Sequence, residues 1–486
     1  MARKMSQVLG YGDPSVTYIA TLTELKAAFP TLNSAAAGTA CTVATDDVVT
    51  CNAHGLQANA QIVFDTAIGG IVADHRYFLR PVADVAANTF KICDNYPGSA
   101  AFDITANGAN NWRRFDPAEG TYDCAVGAKI ILTADIAGLD VALNLRNAAL
   151  FDGGTFKITS NGTTGKIVCT PFALSADGLL DSFDSPSNVN GSTAANGATI
   201  FSNAFVAGAI PAKQAVVLST HGDTTNGASG WRQMLCLSTG QPDNDDITVK
   251  PDLDRYYTKA TFGAQDPYYT LARVNESLII RNLVFDANGL TSPLYFSCAY
   301  LTWQGVTVKN FNNTANQWWG IQHSISAVVF QYCINVKVDP TSRFIDNTVG
   351  NAGILSLEVK GLEFRGELNS LTMTAALNSA GLFIFHSCWN KVDFAHLEKV
   401  RQTGGNGHDI WVEGSAYTTI IGNSAIDMDG GTELNLVVAN SQDTITIGNN
   451  FKACGATIAN NGVLSPSSSD AGNIIANNDL IDRNTN

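Results

Sequence analysis

The chain has 486 residues, of which 45% are hydrophobic and 15% are charged, a balance that is typical of folded proteins and excludes a disordered chain. The formal net charge is −14 at pH 7, and an acidic surface repels phosphate, so nucleic acid is not an expected partner. No apolar stretch is long enough to span a membrane, and the first residues lack the apolar region of a signal peptide. We therefore expect assembly in the cytoplasm and no membrane partner.

Residues 1–40 are predicted to form an N-terminal arm and a helix that leads into the main fold. From Thr21 to Phe29, apolar residues recur at helical spacing, which places one apolar face toward a core. Thr23 is the predicted N-cap of this helix, because a threonine hydroxyl can accept a hydrogen bond from a free backbone N–H of the first turn.

Residues 41–115 are predicted to form a small inserted β module. Short strand-like segments alternate with turn sequences, and the recognisable elements are Thr50, His54-Gly55-Leu56, Val63-Phe64, Gly69-Gly70-Ile71 and Asn88-Thr89-Phe90. In this order, they resemble a small β module that recurs in phage tail and fibre proteins. The resemblance implies a virion protein in preference to a free enzyme.

Residues 116–275 are predicted to form the first coils of a β-helix, with long loops and with irregular coils over 175–275. Strand-like segments occur at 120–122, 129–132, 143–145 and 154–158. A helix followed by a Gly-Thr-Tyr strand and then by coils resembles the pectin-lyase-like superfamily, which includes pectate lyases and phage tailspikes. The resemblance implies a right-handed parallel β-helix and carries no catalytic signature.

Residues 276–486 carry the strongest pattern and are predicted to form regular coils. Four-residue segments recur at intervals of 23, 30, 26, 30, 27 and 26 residues, and their second and fourth positions are apolar except at Thr419. The segments begin at Asn282, Gly305, Asn335, Gly361, Lys391, Thr418 and Thr444. One coil cannot bury its own apolar face, so stacking buries a continuous interior, with Asn and Gly at the corners.

A β-propeller is the competing architecture, and it needs about 40–50 residues per repeat. The intervals in this chain are shorter and irregular, which favours a solenoid. The predicted fold class is therefore all-β: a right-handed parallel β-helix with a small inserted β domain near the N-terminus.

The third positions of the repeat are predicted to form an outward column that contains Lys337, Glu363 and Asp393 on successive coils. Two neighbouring carboxylates can divide into an acid and a base, as in glycosidases, which makes Glu363 and Asp393 the candidate catalytic residues. The alternative is a solvated ladder of charges, in which Lys337 offsets Glu363 and Arg365 forms a simple ion pair with Glu363.

Trp318 and Trp319 are the candidate ligand-binding residues, because an exposed tryptophan can stack on a sugar. Adjacent residues of a strand point to opposite faces, so one of the two is expected in the core, and the exposed one would serve a subunit contact equally well. His396, Glu398, His408, Asp409 and Glu413 form a further cluster, but their spacing matches no common metal site. We predict no metal site and no cofactor.

The cysteines have no CxxC pair and no metal-binding spacing, and Cys169, Cys236, Cys298 and Cys333 lie in apolar runs. Reduced cysteines that fill an interior are therefore expected, in preference to disulfides or metal ligands.

The resemblances imply a structural protein of the phage virion surface, assembled in the host cytoplasm: a homotrimeric tailspike or fibre that contacts other virion proteins and binds host surface polysaccharide. A head (capsid) decoration or cement protein is the first alternative, since neither terminus resembles a tail-adaptor or trimerisation module. A polysaccharide lyase or glycoside hydrolase is the second. With no catalytic motif in the sequence, a structural role is preferred to an enzymatic one, and a polysaccharide depolymerase is the enzyme class that stays open.

Overall fold

A computed structural model describes most of the chain between Val16 and Asp482. Its residues are 16–56, 61–80, 84–93, 101–116, 118–170, 275–314, 326–357, 359–374, 379–385, 387–403, 407–413, 415, 417–426, 434–439, 444–447 and 449–453, together with strand backbone at 199–201, 215–220, 232–240, 246–250, 267–272, 463–464, 474–476 and 479–482. Among these residues, no helix has the length and apolar character needed to cross a membrane.

The N-terminal elements are β1 (Val16–Ile19), α1 (Leu22–Ala27) and β2 (Thr31–Leu32). The predicted cap, Thr23, is wrong: the N-cap is Thr21, whose hydroxyl accepts the backbone N–H of Glu24 at 3.2 Å. The Glu24 carboxylate in turn accepts the backbone N–H of Thr21 at 3.1 Å, which completes a capping box. The N-cap therefore lies two residues before the predicted one, and Leu25 of the helix is buried in the core of the β-helix.

A separate antiparallel sheet interrupts the chain after β2. Its strands are β3 (Thr39–Val43), β4 (Val49–Thr50), β5 (Gln61–Phe64), β6 (Tyr77–Leu79), β7 (Thr89–Phe90), β8 (Ile92–Cys93) and β9 (Gly108–Arg114), in the order β7-β4-β3-β9-β5-β6-β8. The sheet packs around its own buried cluster, which includes Phe64, Tyr77 and Phe90. The His54-Gly55-Leu56 turn closes on itself, because His54 Nδ1 accepts the Leu56 N–H at 3.0 Å. We refer to 39–114 as the inserted module.

The first coils follow the inserted module. Their strands are β10 (Thr121–Asp123), β11 (Ala128–Leu132), β12 (Ile136–Leu139), β13 (Ala142–Asn144), β14 (Ala148–Asp152), β15 (Lys157–Ser160) and β16 (Lys166–Val168), with a 3-10 helix at Leu145–Asn147.

Along the chain, a second antiparallel sheet comes after these coils and before the rest of the β-helix. Its strands are β17 (Thr199–Phe201), β18 (Ala215–Thr220), β19 (Arg232–Gly240), β20 (Asp246–Lys250) and β21 (Pro267–Ala272), in the order β17-β20-β19-β18-β21. The sequence predicted irregular coils here, whereas these strands pair antiparallel with one another. With up to nine residues, they are longer than most coil strands, and their pairing uses neighbouring segments of the chain.

The remaining coils contribute strands to three parallel sheets. These strands are β22 (Leu278–Arg281), β23 (Val284–Asp286), β24 (Leu294–Phe296), β25 (Tyr300–Gln304), β26 (Thr307–Lys309), β27 (Asn312–Asn313), β28 (Ser326–Gln331), β29 (Asn335–Val338), β30 (Arg343–Val349), β31 (Ala352–Leu357), β32 (Leu362–Phe364), β33 (Glu367–Met373), β34 (Ser379–Phe385), β35 (Lys391–Asp393), β36 (His396–Gln402), β37 (Gly407–Glu413), β38 (Thr419–Ile421), β39 (Ser424–Ile426), β40 (Leu434–Ala439), β41 (Ile445–Ile447), β42 (Asn450–Ala453), β43 (Val463–Leu464), β44 (Ile474–Ala476) and β45 (Asp479–Asp482).

Sheet 1 has the order β1-β11-β14-β22-β25-β29-β32-β35-β38-β41-β44, and sheet 2 runs β12-β15-β23-β26-β30-β33-β36-β39-β42-β45. Sheet 3 runs β24-β28-β31-β34-β37-β40-β43. From β22 onward, successive strands belong to sheets 1, 2 and 3 in turn, except for β27, which follows β26 and also pairs with β30 of sheet 2. Every strand pair within these sheets is parallel. The predicted fold class, a parallel β-helix, is confirmed.

The interior of the β-helix is built from columns of side chains, one from each coil. In sheet 1 one such column consists of Ile130, Phe151, Ile280, Trp303, Val338, Phe364, Val392 and Ile420, and each of these side chains is at most 1% exposed. A buried side chain of this size contributes roughly 1.5–3 kcal/mol relative to an exposed one. Repetition of one inward position therefore stabilises the whole stack.

The register of the predicted repeat is wrong in two places. The segments at Asn282 and Gly305 belong to sheet 2, whereas the later five belong to sheet 1. In sheet 1, Glu363 pairs with Lys391, so that Phe394 is not inward but lies at a corner, 69% exposed. A slip of two residues keeps the alternation of inward and outward positions, and so the alternation cannot detect it.

A slip of one residue affects the last two repeats as well, because Lys391 pairs with Thr419 and not with Thr418. Such a slip exchanges inward and outward positions, and the sequence predicted that Ile445 and Ile447 would point inward. Thr446 is the inward residue of β41, with no exposed surface, and both isoleucines are only partly buried. Thr446 pairs with Ile420, which belongs to the inward column described above.

Asparagines lie at corners of the coils, as predicted, and two of them are hydrogen-bonded to each other. Asn423 Nδ2 donates to Asn449 Oδ1 at 2.9 Å, and the backbone N–H of Ala395 donates to Asn423 Oδ1 at 2.8 Å. The described cysteines are buried thiols, which confirms the interior role predicted for Cys169, Cys298 and Cys333. The side chain of Cys236 lies outside the described residues.

Candidate functional site

The outward face of sheet 1 brings the predicted charged residues close together. Lys337 on β29 pairs directly with Glu363 on β32, and Glu363 pairs with Lys391 on β35. Asp393 lies two residues beyond Lys391 on the same face. The three residues predicted for the outward column therefore occupy successive coils, with Asp393 displaced along its strand.

Two cations connect the two carboxylates. Asp393 is 5% exposed, and its Oδ2 atom accepts from Arg365 Nη2 at 2.8 Å and from Lys391 Nζ at 2.7 Å. The same Arg365 nitrogen lies 3.2 Å from Glu363 Oε1, which confirms the ion pair expected between these two residues. We call Glu363, Arg365, Lys391 and Asp393 the charged face.

This geometry constrains any catalytic use of the charged face. A glycosidase needs its two carboxyl groups about 5–9.5 Å apart with substrate between them. Here the Arg365 guanidinium bridges both carboxylates, so a substrate that bound between Glu363 and Asp393 would have to displace it. The assignment of Glu363 and Asp393 as catalytic residues stays a prediction.

Exposed aromatic side chains flank the charged face at one corner of the β-helix. Trp389 is 50% exposed and stacks on Tyr417, with ring centroids 4.4 Å apart and an angle of 19° between the planes. The register places five residues of successive coils in this column, which are Tyr300, Asn335, Gly361, Trp389 and Tyr417. We call this column the aromatic corner.

The backbone is left-handed at three of the five positions of the aromatic corner. Trp389 has a φ of 59° and Tyr417 a φ of 53°, whereas the neighbouring coil has Gly361, with a φ of 86°, at the same position. A left-handed backbone costs an ordinary residue roughly 1–2 kcal/mol, and glycine avoids most of that cost. Large aromatic residues are therefore unfavourable for the fold at this position, and strain of this kind clusters at ligand sites.

The opposite corner of the charged face has the same arrangement. Phe394 has a φ of 53°, and its ring lies over Gly422, where a Cβ atom would come within 2.6 Å of Phe394 Cε1. At the corresponding position, Gly422 of the next coil and Asn282 and Gly305 of two earlier coils are also at positive φ. An exposed aromatic residue again stands where neighbouring coils use the residues that tolerate this conformation.

The dimensions of this surface suit an extended ligand. Trp389 and Phe394 are five residues apart, with β35 between them, which corresponds to about 16 Å across the sheet. Tyr300 and Trp389 are three coils apart, or about 14 Å along the β-helix at the usual strand spacing. The small residues Asn335 and Gly361 lie between those two aromatics in the register.

The cluster predicted around His396 is divided between two sheets. His396 and Glu398 lie on β36 of sheet 2, 3.5 Å apart, whereas His408 and Asp409 lie on β37 of sheet 3 and are buried. A hydrogen bond from Lys399 and a second from His396 lower the pKa of Glu398. Within the described residues, no group of three or more potential metal ligands comes together.

The candidate ligand-binding residues Trp318 and Trp319 lie outside the described residues. Trp389 and Tyr417, by contrast, were missed by the sequence reasoning. A tryptophan just before a β-strand is an ordinary sequence feature, and only the positive φ and the exposed stack distinguish it. The usable signal was the comparison with Gly361 in the neighbouring coil, and this comparison requires the correct register.

No protein-family model matches the chain, and no curated protein matches it. The chain is similar to three solved tailspike structures. The tailspike gp49 from Pseudomonas phage LKA1 is 12% identical, with 68% of this chain and 52% of that chain covered and a TM-score of 0.27. The chain therefore spans about half the length of that tailspike.

The Gp54 tailspike of Acinetobacter baumannii bacteriophage AP22, solved in complex with A. baumannii capsular saccharide, is 10% identical. The match covers 72% of this chain and 71% of that one, with a TM-score of 0.25. The tailspike gp61 of Pseudomonas phage phi297 is also 10% identical, with 72% of each chain covered and a TM-score of 0.23.

Proposed function

We propose that this chain is a structural protein of the phage virion surface, a trimeric tailspike or fibre that binds host surface glycan. The observation that carries the glycan proposal is the stack of the exposed Trp389 on the half-buried Tyr417, both held at positive φ beside the charged face. The phage assignment rests on the β-helix and on the likeness of residues 41–115 to a module of phage tail proteins. The predicted domain boundaries at 40, 115 and 275 remain part of this proposal.

The chemistry of the surface suits a sugar chain. An aromatic ring presents a flat apolar face with a negative quadrupole, on which the C–H face of a pyranose can stack. The carboxylates of the charged face accept hydrogen bonds from hydroxyl groups, and Arg365 and Lys391 donate them. Apolar stacking at two corners and polar groups between them are the two components of specific binding to a hydroxylated ligand.

The test of the glycan proposal uses the variants Trp389→Asn and Tyr417→Asn. Asparagine tolerates the left-handed backbone, so each variant should fold at least as stably as the native chain. Against an array of bacterial capsular and O-antigen polysaccharides, the native chain should bind at least one polysaccharide. Each variant should bind it about tenfold more weakly, which corresponds to about 1.4 kcal/mol of lost stacking.

Val126→Asn and Leu32→Asn are the controls, because both residues are exposed and apolar and lie far along the chain from the aromatic corner. They should leave polysaccharide binding unchanged. Absence of binding by the native chain, or equal binding by native chain and Trp389→Asn, contradicts the proposal.

Two further measurements decide between the alternatives. Immunogold electron microscopy of purified phage particles separates a tail protein from a head decoration protein, and native mass spectrometry tests the trimer. For the depolymerase alternative, polysaccharides are incubated with the native chain and with Glu363→Gln and Asp393→Asn. If the native chain releases no oligosaccharides, the lyase or hydrolase alternative is excluded for those polysaccharides.

A further inference from the structure

A cleft of about 550 Å³ lies between the inserted module and the first coils of the β-helix. Its floor is the outward column Thr121, Ala142 and Lys166 on β10, β13 and β16. Arg113 of the inserted module lines one wall, and Tyr295 of β24 lines another. The cleft is distant in the coil order from the charged face and is independent of the glycan proposal.

The acidic groups that line this cleft have partners. Asp74 and Glu119 bind Arg113, at 2.7 and 2.8 Å. Asp140 binds Lys26 at 3.1 Å outside the floor of the cleft. Asp116 accepts the backbone N–H of Ala118 at 2.8 Å, and burial raises the pKa of its carboxyl group.

Lys166 is the cation without a counter-ion in this lining. Within the described part of the chain its ammonium group has no acidic partner, and its hydrogen bond is to Ser292 Oγ at 3.3 Å. An ammonium group has three donors, so two are left for a ligand. Burial without a counter-ion disfavours the charged form and lowers the pKa of Lys166 to about 8.

The remaining lining is hydroxyl-rich and aromatic. Four threonines line the cleft, and Tyr122 and Phe115 add aromatic surface; the threonines are Thr121, Thr163, Thr164 and Thr170. The hydroxyl groups of Thr121 and Thr164 already donate to the backbone carbonyls of Ala118 and Asp140, which leaves them to act toward a ligand as acceptors. Threonine hydroxyls accept as well as donate, so they suit a ligand that itself carries hydroxyl groups. Because Lys166 is the cation without a counter-ion, we expect the ligand to carry one negative charge.

We propose that this cleft binds a small hydroxylated carboxylic acid, whose carboxylate pairs with Lys166. Such a ligand satisfies the two open donors of Lys166 and supplies the counter-ion that its partly buried amine lacks. Because the walls belong both to the inserted module and to the β-helix, the bound acid contacts both and stabilises their junction.

The test is a calorimetric titration of the full chain with D-glucuronate as the acid and D-glucose as its neutral counterpart, at pH 7. Glucuronate should bind, and glucose should bind at least tenfold more weakly. Lys166→Met keeps the apolar stem and removes the charge, so it should weaken glucuronate binding at least tenfold, the range expected for a charge-assisted hydrogen bond. Lys166→Arg should retain binding.

The matched control is Lys309→Met, which removes the same charge from a lysine that lies on sheet 2 next to Asp286. It should bind glucuronate like the native chain. Inorganic phosphate is the second probe: phosphate binding without glucuronate binding assigns the cleft to a bare anion and overturns the proposed ligand class. Undiminished glucuronate binding by Lys166→Met, or none by the native chain at millimolar concentration, also overturns it.

The pH provides a readout that does not require a variant to fold. The other charged or titratable groups that face the cleft are Asp74, Arg113, Asp116, Glu119 and Asp140, with the phenols Tyr122 and Tyr295. Burial lowers the pKa of Lys166 to about 8, so its positive charge is lost between pH 7 and pH 9. Glucuronate affinity should fall as the pH rises through this window, and an affinity that is constant or rises contradicts a role for Lys166.

Discussion

The outward faces of sheets 1 and 3 differ, although both sheets contribute buried apolar side chains to the interior. In sheet 1 the outward residues of neighbouring coils are Thr302, Lys337, Glu363, Lys391 and Thr419, and they lie at the surface. In sheet 3 the corresponding column is Tyr295, Val329, Leu355, Phe383, Trp411 and Val437, and it is buried.

This difference shows that aromatic content alone does not mark a binding surface. Trp411 stacks on Phe383, with ring centroids 4.8 Å apart, much as Trp389 stacks on Tyr417. Trp411 is 7% exposed and belongs to an apolar cluster, whereas Trp389 is 50% exposed at a left-handed corner. Exposure and backbone conformation distinguish the two pairs, and composition does not.

The largest expected effect is on stability, and it uses these two tryptophans as a matched pair. Trp411→Ala should lower the free energy of unfolding by about 3–5 kcal/mol, because it opens a cavity in a buried cluster. Trp389→Ala should lower it by less than about 1 kcal/mol, because half of that side chain is already in water. Urea unfolding followed by circular dichroism measures both. Equal losses of unfolding free energy in the two variants would contradict the distinction between the two faces.

A smaller effect is expected within the charged face. Asp393→Asn leaves Arg365 and Lys391 without the buried carboxylate that they share, at a cost of about 1–2 kcal/mol, since both cations are partly exposed. Glu363→Gln removes one partly exposed ion pair and should cost less than about 1 kcal/mol. The same unfolding assay compares the two variants, and a larger loss for Glu363→Gln would mean that Asp393 is not the centre of the network.

The smallest effect concerns sheet 2, where Arg343 donates to Glu367 at 2.7 Å and lowers the pKa of its carboxyl group. A lowered folded-state pKa stabilises the fold above the unfolded-state value, near 4.3, and this contribution disappears as the pH falls through the folded-state value. The native chain should therefore exceed Glu367→Gln in stability at pH 7 by less than about 1 kcal/mol, because Arg343 is half exposed. Urea midpoints at pH 7 and pH 3 measure this difference, which should shrink in acid. A stability difference between the two chains that increased in acid would contradict the expected direction of the pH dependence.

The sequence was sufficient to predict the β-helix, because a period of two within strands and an interval of 23 to 30 residues between them are both visible in it. It was insufficient for the register. Phe394 follows an apolar-polar alternation and was predicted to point inward, yet the chain turns at that residue. Alternation specifies which residues share a face and not where a strand ends.

The candidate site depended on that missing information. Glu363 and Arg365 were visible as an outward pair, and their contact in the structure follows from their spacing on one strand. The partnership of Arg365 with Asp393 and the position of Trp389 beside Gly361 depend on pairing between coils that are 28 residues apart. Long-range pairing of this kind follows from the whole stack and not from any single segment.

The buried thiols described above can serve as probes of unfolding. Burial raises the pKa of Cys41 and of Cys124 to about 12, and it raises the pKa of Cys298 as well, so thiolate chemistry is suppressed while the native packing lasts. Cys41 belongs to the inserted module, and the other two belong to the β-helix. Pulses of an alkylating reagent can therefore be applied during denaturation, and the modified cysteines can be identified by peptide mass spectrometry. This experiment would measure separately when each part unfolds, without any substitution in the chain.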